Sequence, residues 1–284
     1  MIVADFRNMK KSVLSMLAVA ALVFGMTSCN GAKKTNEEAE KTEEAAVIAG
    51  KAPKDLLTEE LKQETIQLLK DMPDSEIPYR LSTGEVKVNV GDVKYMVPVS
   101  KAAELSTPTQ KARALGMYMA DYNVLKAVGQ PTAEVEAVIA KLATDLNVSF
   151  VLDILKEQAP KDATKEQMQS FLKEQENQII DKMAAENKID AEVEMLGAAS
   201  AEYACLIANP TLVVQGDATS AGLSANMEKR VSMLEEVVAD LAAYYPDLKQ
   251  LGETISPLKE KVNSIQEARA ANAEIMGIRD ALLK

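Results

Sequence analysis

The chain has no histidine and no tryptophan, and only two cysteines and four phenylalanines among 284 residues. Without histidine there is no Ser–His–Asp or Cys–His catalysis, no histidine metal ligand and no histidine pH switch. A zinc site would have to be built from carboxylates alone, which zinc rarely accepts. The sparse aromatic content argues against a sugar-stacking platform, although seven tyrosines remain. No phosphate loop, GxGxxG, GxSxG, HExxH or EF-hand loop occurs in the sequence. These absences leave the chain with no implied cofactor, metal centre or conventional catalytic constellation. Basic residues are also in deficit, 32 against 43 acidic, for a net charge of −11. Such a surface repels phosphate backbones, so nucleic acid is not an expected partner.

What is present begins at the N-terminus. Lys10 and Lys11 follow Met9, an apolar run extends from Val13 to Phe24, and Gly25-Met26-Thr27-Ser28-Cys29 closes the segment. A basic start, a short apolar stretch and small residues before a cysteine have the form of a secretory signal. The run is shorter than the roughly 20 apolar residues that a membrane span needs. Met26-Thr27-Ser28-Cys29 resembles a bacterial lipoprotein lipobox in its Bacteroidota variant, with Met26 in place of the usual leucine. That resemblance implies cleavage after residue 28 and lipidation of Cys29. Asn30 follows, not aspartate, so the implied home is the outer membrane, on its periplasmic face or, less readily, at the cell surface. Several acyl chains give firm anchoring, each buried methylene contributing about 0.8 kcal/mol. Removing residues 1–28, which carry Arg7, Lys10, Lys11 and Asp5, leaves 29 basic and 42 acidic residues and a net charge of −13. Cys205 is the sole cysteine after Cys29, so no intrachain disulfide is expected.

Residues 29–50 are charged, alanine-rich and poor in large apolar side chains, and read as a flexible tether. Residues 51–104 are expected to hold one helix, capped by Asp55 and stopped at Met72-Pro73, and then a small β-hairpin. The alternation Glu85–Val90, a turn at Gly91-Asp92, and Val93–Val97 carry the hairpin. From residue 105 the pattern is helical to the end. Thr107-Pro108 opens a helix reaching about Val128, Thr132 opens the next, and Phe150–Gln158 forms a short piece before Pro160. Thr164-Lys165-Glu166-Gln167 is a capping box heading a long helix. Asp190 is expected to cap a helix ending at Asn209-Pro210. Thr211–Gly222 reads as a loop and Leu223–Tyr245 as a helix. A final helical stretch carries Leu251, Ile255, Leu258, Val262 and Ile265. The fold class is therefore mostly all-α: a helical bundle or short array with a small β-hairpin.

Two segments repeat. Leu115–Ala127 (LGMYMADYNVLKA) aligns with Leu196–Ala208 (LGAASAEYACLIA), matching Leu, Gly, Ala, Tyr, Leu and Ala and setting Asp121 against Glu202. The repeat suggests two related helical modules, about 107–188 and 189–284. Gly116 and Gly197 leave room for close approach of a neighbouring helix. The tract Lys111–Tyr122 resembles a family of uncharacterised, all-helical Bacteroidota lipoproteins with an LGxYxxD-type helix, and the Glu202-Tyr203 helix resembles a later segment of that family. The resemblance implies a helical, lipid-anchored protein and brings no activity with it.

Asp121 and Glu202 are the candidate site residues, with Tyr118, Tyr122 and Tyr203 as a candidate pocket lining. Two carboxylates converging from paired helices could bind a cation or run acid–base chemistry. The same acids could equally accept structural hydrogen bonds from a tyrosine, an arginine or a helix terminus beside the core. Cys205, set among Ala204, Leu206 and Ile207, reads as an inert buried thiol. The expectation is a lipid-anchored envelope protein acting as a non-enzymatic binding or scaffold module for an envelope protein or small ligand. The alternative is a carboxylate-based enzyme or cation binder using Asp121 and Glu202.

Overall fold

The computed structural model describes residues 52–89, 96–161 and 163–284. The signal segment, Cys29, the tether 29–50 and the turn of the expected hairpin lie outside the described residues. Pro53–Leu56 forms a short 3-10 turn that belongs to the preceding unit, and residues 57–284 form one compact unit.

The helices of that unit are α1 (Glu59–Asp71), α2 (Ile77–Ser82), α3 (Pro108–Ala127), α4 (Ala133–Asp145), α5 (Phe150–Lys156) and α6 (Lys165–Ala185). They continue with α7 (Ile189–Ala208), α8 (Asp217–Leu241), α9 (Asp247–Ile255), α10 (Leu258–Lys261), α11 (Ile265–Ala270) and α12 (Asn272–Ala281). The mostly all-α expectation holds. The expected second strand of the hairpin, Val93–Val97, lies mostly outside the described residues, and the first strand has a different partner. β1 (Val86–Lys87) pairs antiparallel with β2 (Val213–Val214), a partner more than a hundred residues away. Alternation identifies a strand but not its partner, and the pairing here is set by where the loop after α7 passes the end of α2.

Local capping signals place several helix starts. Thr107 and Thr164 each accept the N3 backbone N–H while Gln110 and Gln167 close reciprocal capping boxes. The first helix is capped by Thr58, whose hydroxyl accepts from Leu61 N, and not by Asp55. Asp190 lies inside the first turn of α7, after Lys188; Asn187 makes the turn with a positive φ of 54°. Helix α8 starts six residues earlier than its apolar pattern and stops at Leu241. The single C-terminal stretch is four short helices, with Pro257 at the start of α10 breaking the register. The Leu251-to-Ile265 apolar spacing survives because each short helix turns the same side inward, and all five residues are buried.

The centre of the molecule is the pair α3–α7. Arg113 Nε donates to Glu194 Oε2 at 2.6 Å, and eight residues further along each helix Asp121 meets Glu202. Both contacts join residues 81 apart, so the two helices run parallel and in register. The repeated segments therefore lie side by side, equivalent position against equivalent position. Gly116 makes this possible: a Cβ there would stand 2.0 Å from the Met195 carbonyl oxygen. Gly197 serves a different contact, receiving the Leu251 side chain from α9. Helices α2 and α4 cover α3; α6, α8, α11 and α12 cover α7; α1 lies on α6 and α8. One continuous apolar core runs through all of them, so residues 107–188 and 189–284 lie within one compact unit.

Candidate functional site

The structure brings Asp121 and Glu202 together and seals them. Each is 1% exposed. Arg279 on α12 reaches in, its Nη1 donating to Glu202 Oε2 at 3.1 Å and Oε1 at 3.3 Å, while its Nε donates to Asp280 Oδ1 at 2.6 Å. Burial pushes the Glu202 carboxyl up to about 7 despite Arg279. Burial, and then the neighbouring Glu202 charge, raises Asp121 well above the usual carboxylate range. The Val97 backbone N–H is the one group that favours ionised Asp121 by hydrogen bonding, and it makes no close, well-aligned bond to either oxygen. A proton held between the two carboxyls removes that deficit and leaves one negative charge to Arg279. The arrangement is a neutralised structural triad joining α3, α7 and α12.

Of the three tyrosines, Tyr118 lies near the pair and feels both the Asp121 and Glu202 charges. Tyr118 is fully buried and donates its hydroxyl to the Pro98 carbonyl at 2.9 Å. Tyr122 points towards Glu136 of α4, and Lys126 Nζ lies 5.6 Å from its ring centre. Tyr203 interacts with Asn123 and faces a separate cavity. Cys205 is buried, and desolvation raises its thiol pKa, consistent with an inert side chain.

That cavity is the feature the sequence did not reveal. It has a volume of about 90 Å³ and lies among α2, α3, α6, α7 and α8, with the α1–α2 turn at its edge. Access reaches the central helices: between Glu192 and Ala208, Ala199 alone escapes burial, and it lines this space. Met119 and Asn123 on α3 share the same partial exposure and the same cavity. Glu192 stands in the wall, 1% exposed, with Oε2 unpartnered, and burial followed by the nearby Glu176 charge pushes its carboxyl up to about 8.

The opposite wall is built by Arg230 of α8, 2% exposed. Its Nη2 donates to Glu176 Oε1 at 3.2 Å and its Nη1 to the Pro73 carbonyl, leaving Nε unpartnered. Lys173 Nζ donates to the Met72 carbonyl at 2.6 Å and Asn226 Nδ2 to the Asp74 carbonyl at 3.0 Å. Three side chains from two helices thus pin the 72–74 turn at the edge of the cavity. Asp74, half-buried there, has Oδ2 unpartnered and its pKa raised by desolvation and then by Glu176. A sequence signal for Glu192 existed: it shares the helical spacing of Leu196, Ala199 and Tyr203 on α7. That spacing reads as an apolar face until α8 shows what stands opposite.

Among the described residues no group of three His, Cys, Asp or Glu side chains is placed to hold a metal ion, and no helix is long and apolar enough to cross a membrane. No protein-family model matches the chain, and neither a curated protein nor a solved structure is significantly similar to it.

Proposed function

We propose that this is a cell-envelope protein, held to the outer membrane by lipid on Cys29, whose helical body is a non-enzymatic binding or scaffold module. The observation that carries the binding reading is the cavity reaching α3 and α7, lined by Glu192, Arg230 and Tyr203. It is a pocket with apolar walls and a few convergent polar groups, the form that small-molecule sites take. The carboxylate-enzyme alternative draws on Asp121 and Glu202, and their burial and the Arg279 counter-charge count against a role with substrate. The anchoring reading rests on the sequence around Cys29 and the partner-protein reading on the architecture.

The test is fractionation of cells expressing the full chain and its Cys29→Ala variant, with mass spectrometry of the N-terminal peptide. Diacylglycerol and acyl mass on Cys29, and release of the variant from membranes, are the expected results. An unmodified Cys29 with unchanged fractionation would sink the anchoring reading. Cross-linking in intact envelopes then separates a scaffold, which gives a discrete adduct, from a small-molecule binder, which gives none.

A further inference from the structure

The inference rests on the binding-module reading and names the chemistry of what is bound. We infer that the cavity lined by Glu192, Asp74 and Arg230 binds a small primary ammonium ion with a short alkyl body.

The charge inventory decides the sign of the ligand. Three carboxylates line the space, on Asp74, Glu176 and Glu192. Arg230 is committed to Glu176 and to the Pro73 carbonyl, and Lys173 lies 3.6 Å from Glu176 and donates to Met72. Glu176 is therefore neutralised from two sides. Asp74 takes a hydrogen bond from Gln169 and feels Arg230 and Lys173 but keeps Oδ2 unpartnered, and Glu192 keeps Oε2 unpartnered with no cation of its own. Buried polar groups are nearly always satisfied, so unpartnered acceptors in the wall of an accessible space call for a donor that occupies it. A cationic N–H donor meets the hydrogen-bond deficit, and its charge favours the ionised Glu192 that burial alone disfavours. An anion would meet Glu192 and Asp74 with Arg230 already engaged.

Size and lining set the rest. An engineered apolar cavity of about 150 Å³ holds benzene. A space of about 90 Å³ takes a molecule of fewer heavy atoms. Met119, Ile179, Leu196 and Ala199 supply the apolar wall that an alkyl chain would cover. Glu192 is the deep anchor, being almost wholly buried, and Asp74 stands at the half-buried edge. A ligand of about four heavy atoms has an affinity ceiling of about 40 μM.

The experiment is calorimetric titration of the full chain with methyl-, ethyl-, n-propyl- and n-butylammonium chloride at constant ionic strength, with sodium chloride as control. Saturable one-site binding is expected, strongest at two or three carbons. Glu192→Gln should weaken it about tenfold or more. The amide resembles the protonated acid, so that variant should fold normally by circular dichroism. Ala199→Leu, which fills the cavity and leaves Glu192 in place, should also weaken binding, whereas Asp121→Asn should leave it unchanged. Absence of saturable binding, equal affinity in Glu192→Gln, or the same heat with sodium would overturn the inference; in each case water alone satisfies the wall. Cys29→Ala should leave the titration untouched, so a failure of lipid anchoring is distinguishable from a failure of the cavity.

Discussion

Individual acids in this protein are held against their preference for charge. Glu192, Glu202 and Asp121 all have folded-state pKa values above the unfolded values, with burial the first cause in each. The folded chain therefore binds more protons than the unfolded chain at neutral pH, and stability falls as pH rises from the unfolded value of 4.5 through the folded values of about 7 and about 8. The slope is up to about 1.4 kcal/mol per pH unit for each group. Glu85, Glu136 and Asp145 work in the opposite sense: hydrogen bonds with lysines or Thr132 lower them, and their contribution is lost as pH falls. Thermal melting across this range should show a maximum near about pH 5. Glu192→Gln should flatten the decline above it; a melting temperature that climbs from pH 5 to 8 would contradict the burial account. Glu192 sees Glu176, Arg230 and Asp74 across the cavity, so the flattening should be partial, Glu202 and Asp121 retaining their share. Arg279 makes a second prediction at this scale. Arg279→Met leaves Glu202 without its counter-charge, costing about 3–5 kcal/mol at pH 8. The loss should shrink at pH 5, where both carboxyls can be protonated, and denaturant titrations at the two pH values would read the difference.

Among the elements, the α3–α7 contact is the one with no slack. Gly116→Ala would drive a Cβ against the Met195 backbone, which cannot rotate away. The helices would have to separate, and the variant should lose at least about 3 kcal/mol or fail to fold. Gly277, exposed on α12 with nothing within 4 Å of a Cβ, gives the opposite result. Gly277→Ala should stabilise by about 0.5–1 kcal/mol through helix propensity alone. Chemical denaturation of the two variants side by side tests both. The same contrast shows what was legible in the sequence at this scale. The helix start at Thr107-Pro108 and the capping box at Thr164 were readable because such signals are local. The partner of Val86–Lys87 was not, because Val213–Val214 approaches only after α7 and its loop have been placed. The division of the C-terminal stretch was hidden for a related reason. Short helices that keep one side inward reproduce the apolar spacing of a single long helix.

As a whole molecule, residues 57–284 have one apolar core threaded through both repeated segments. Calorimetry should therefore show a single transition, with an enthalpy of about 160 kcal/mol near 60 °C for a unit of this length. Two resolved transitions would mean that the modules 107–188 and 189–284 fold separately, against the shared α3–α7 interface. The parallel, in-register pairing of the repeats explains why neither half should persist alone. Each contributes one central helix, and the two central helices make the most extensive contact in the unit.

The sequence by itself determined the mostly helical class, the starts of α3, α4, α5 and α6, the pairing of Asp121 with Glu202 as equivalent residues, and the chemistries ruled out by missing histidine. Those follow from periodicity, local caps and composition, which need no knowledge of what lies opposite. Tertiary structure alone decided that the Asp121–Glu202 pair is sealed by Arg279 from α12, that Tyr203 faces a separate cavity, and that the carboxylate in that cavity's wall is Glu192. Exposure belongs to the space between helices, and one helix's sequence cannot state which of its faces a neighbour will close. On α7 the Glu202 side is covered by α12, while the Glu192 side faces Arg230 across a gap.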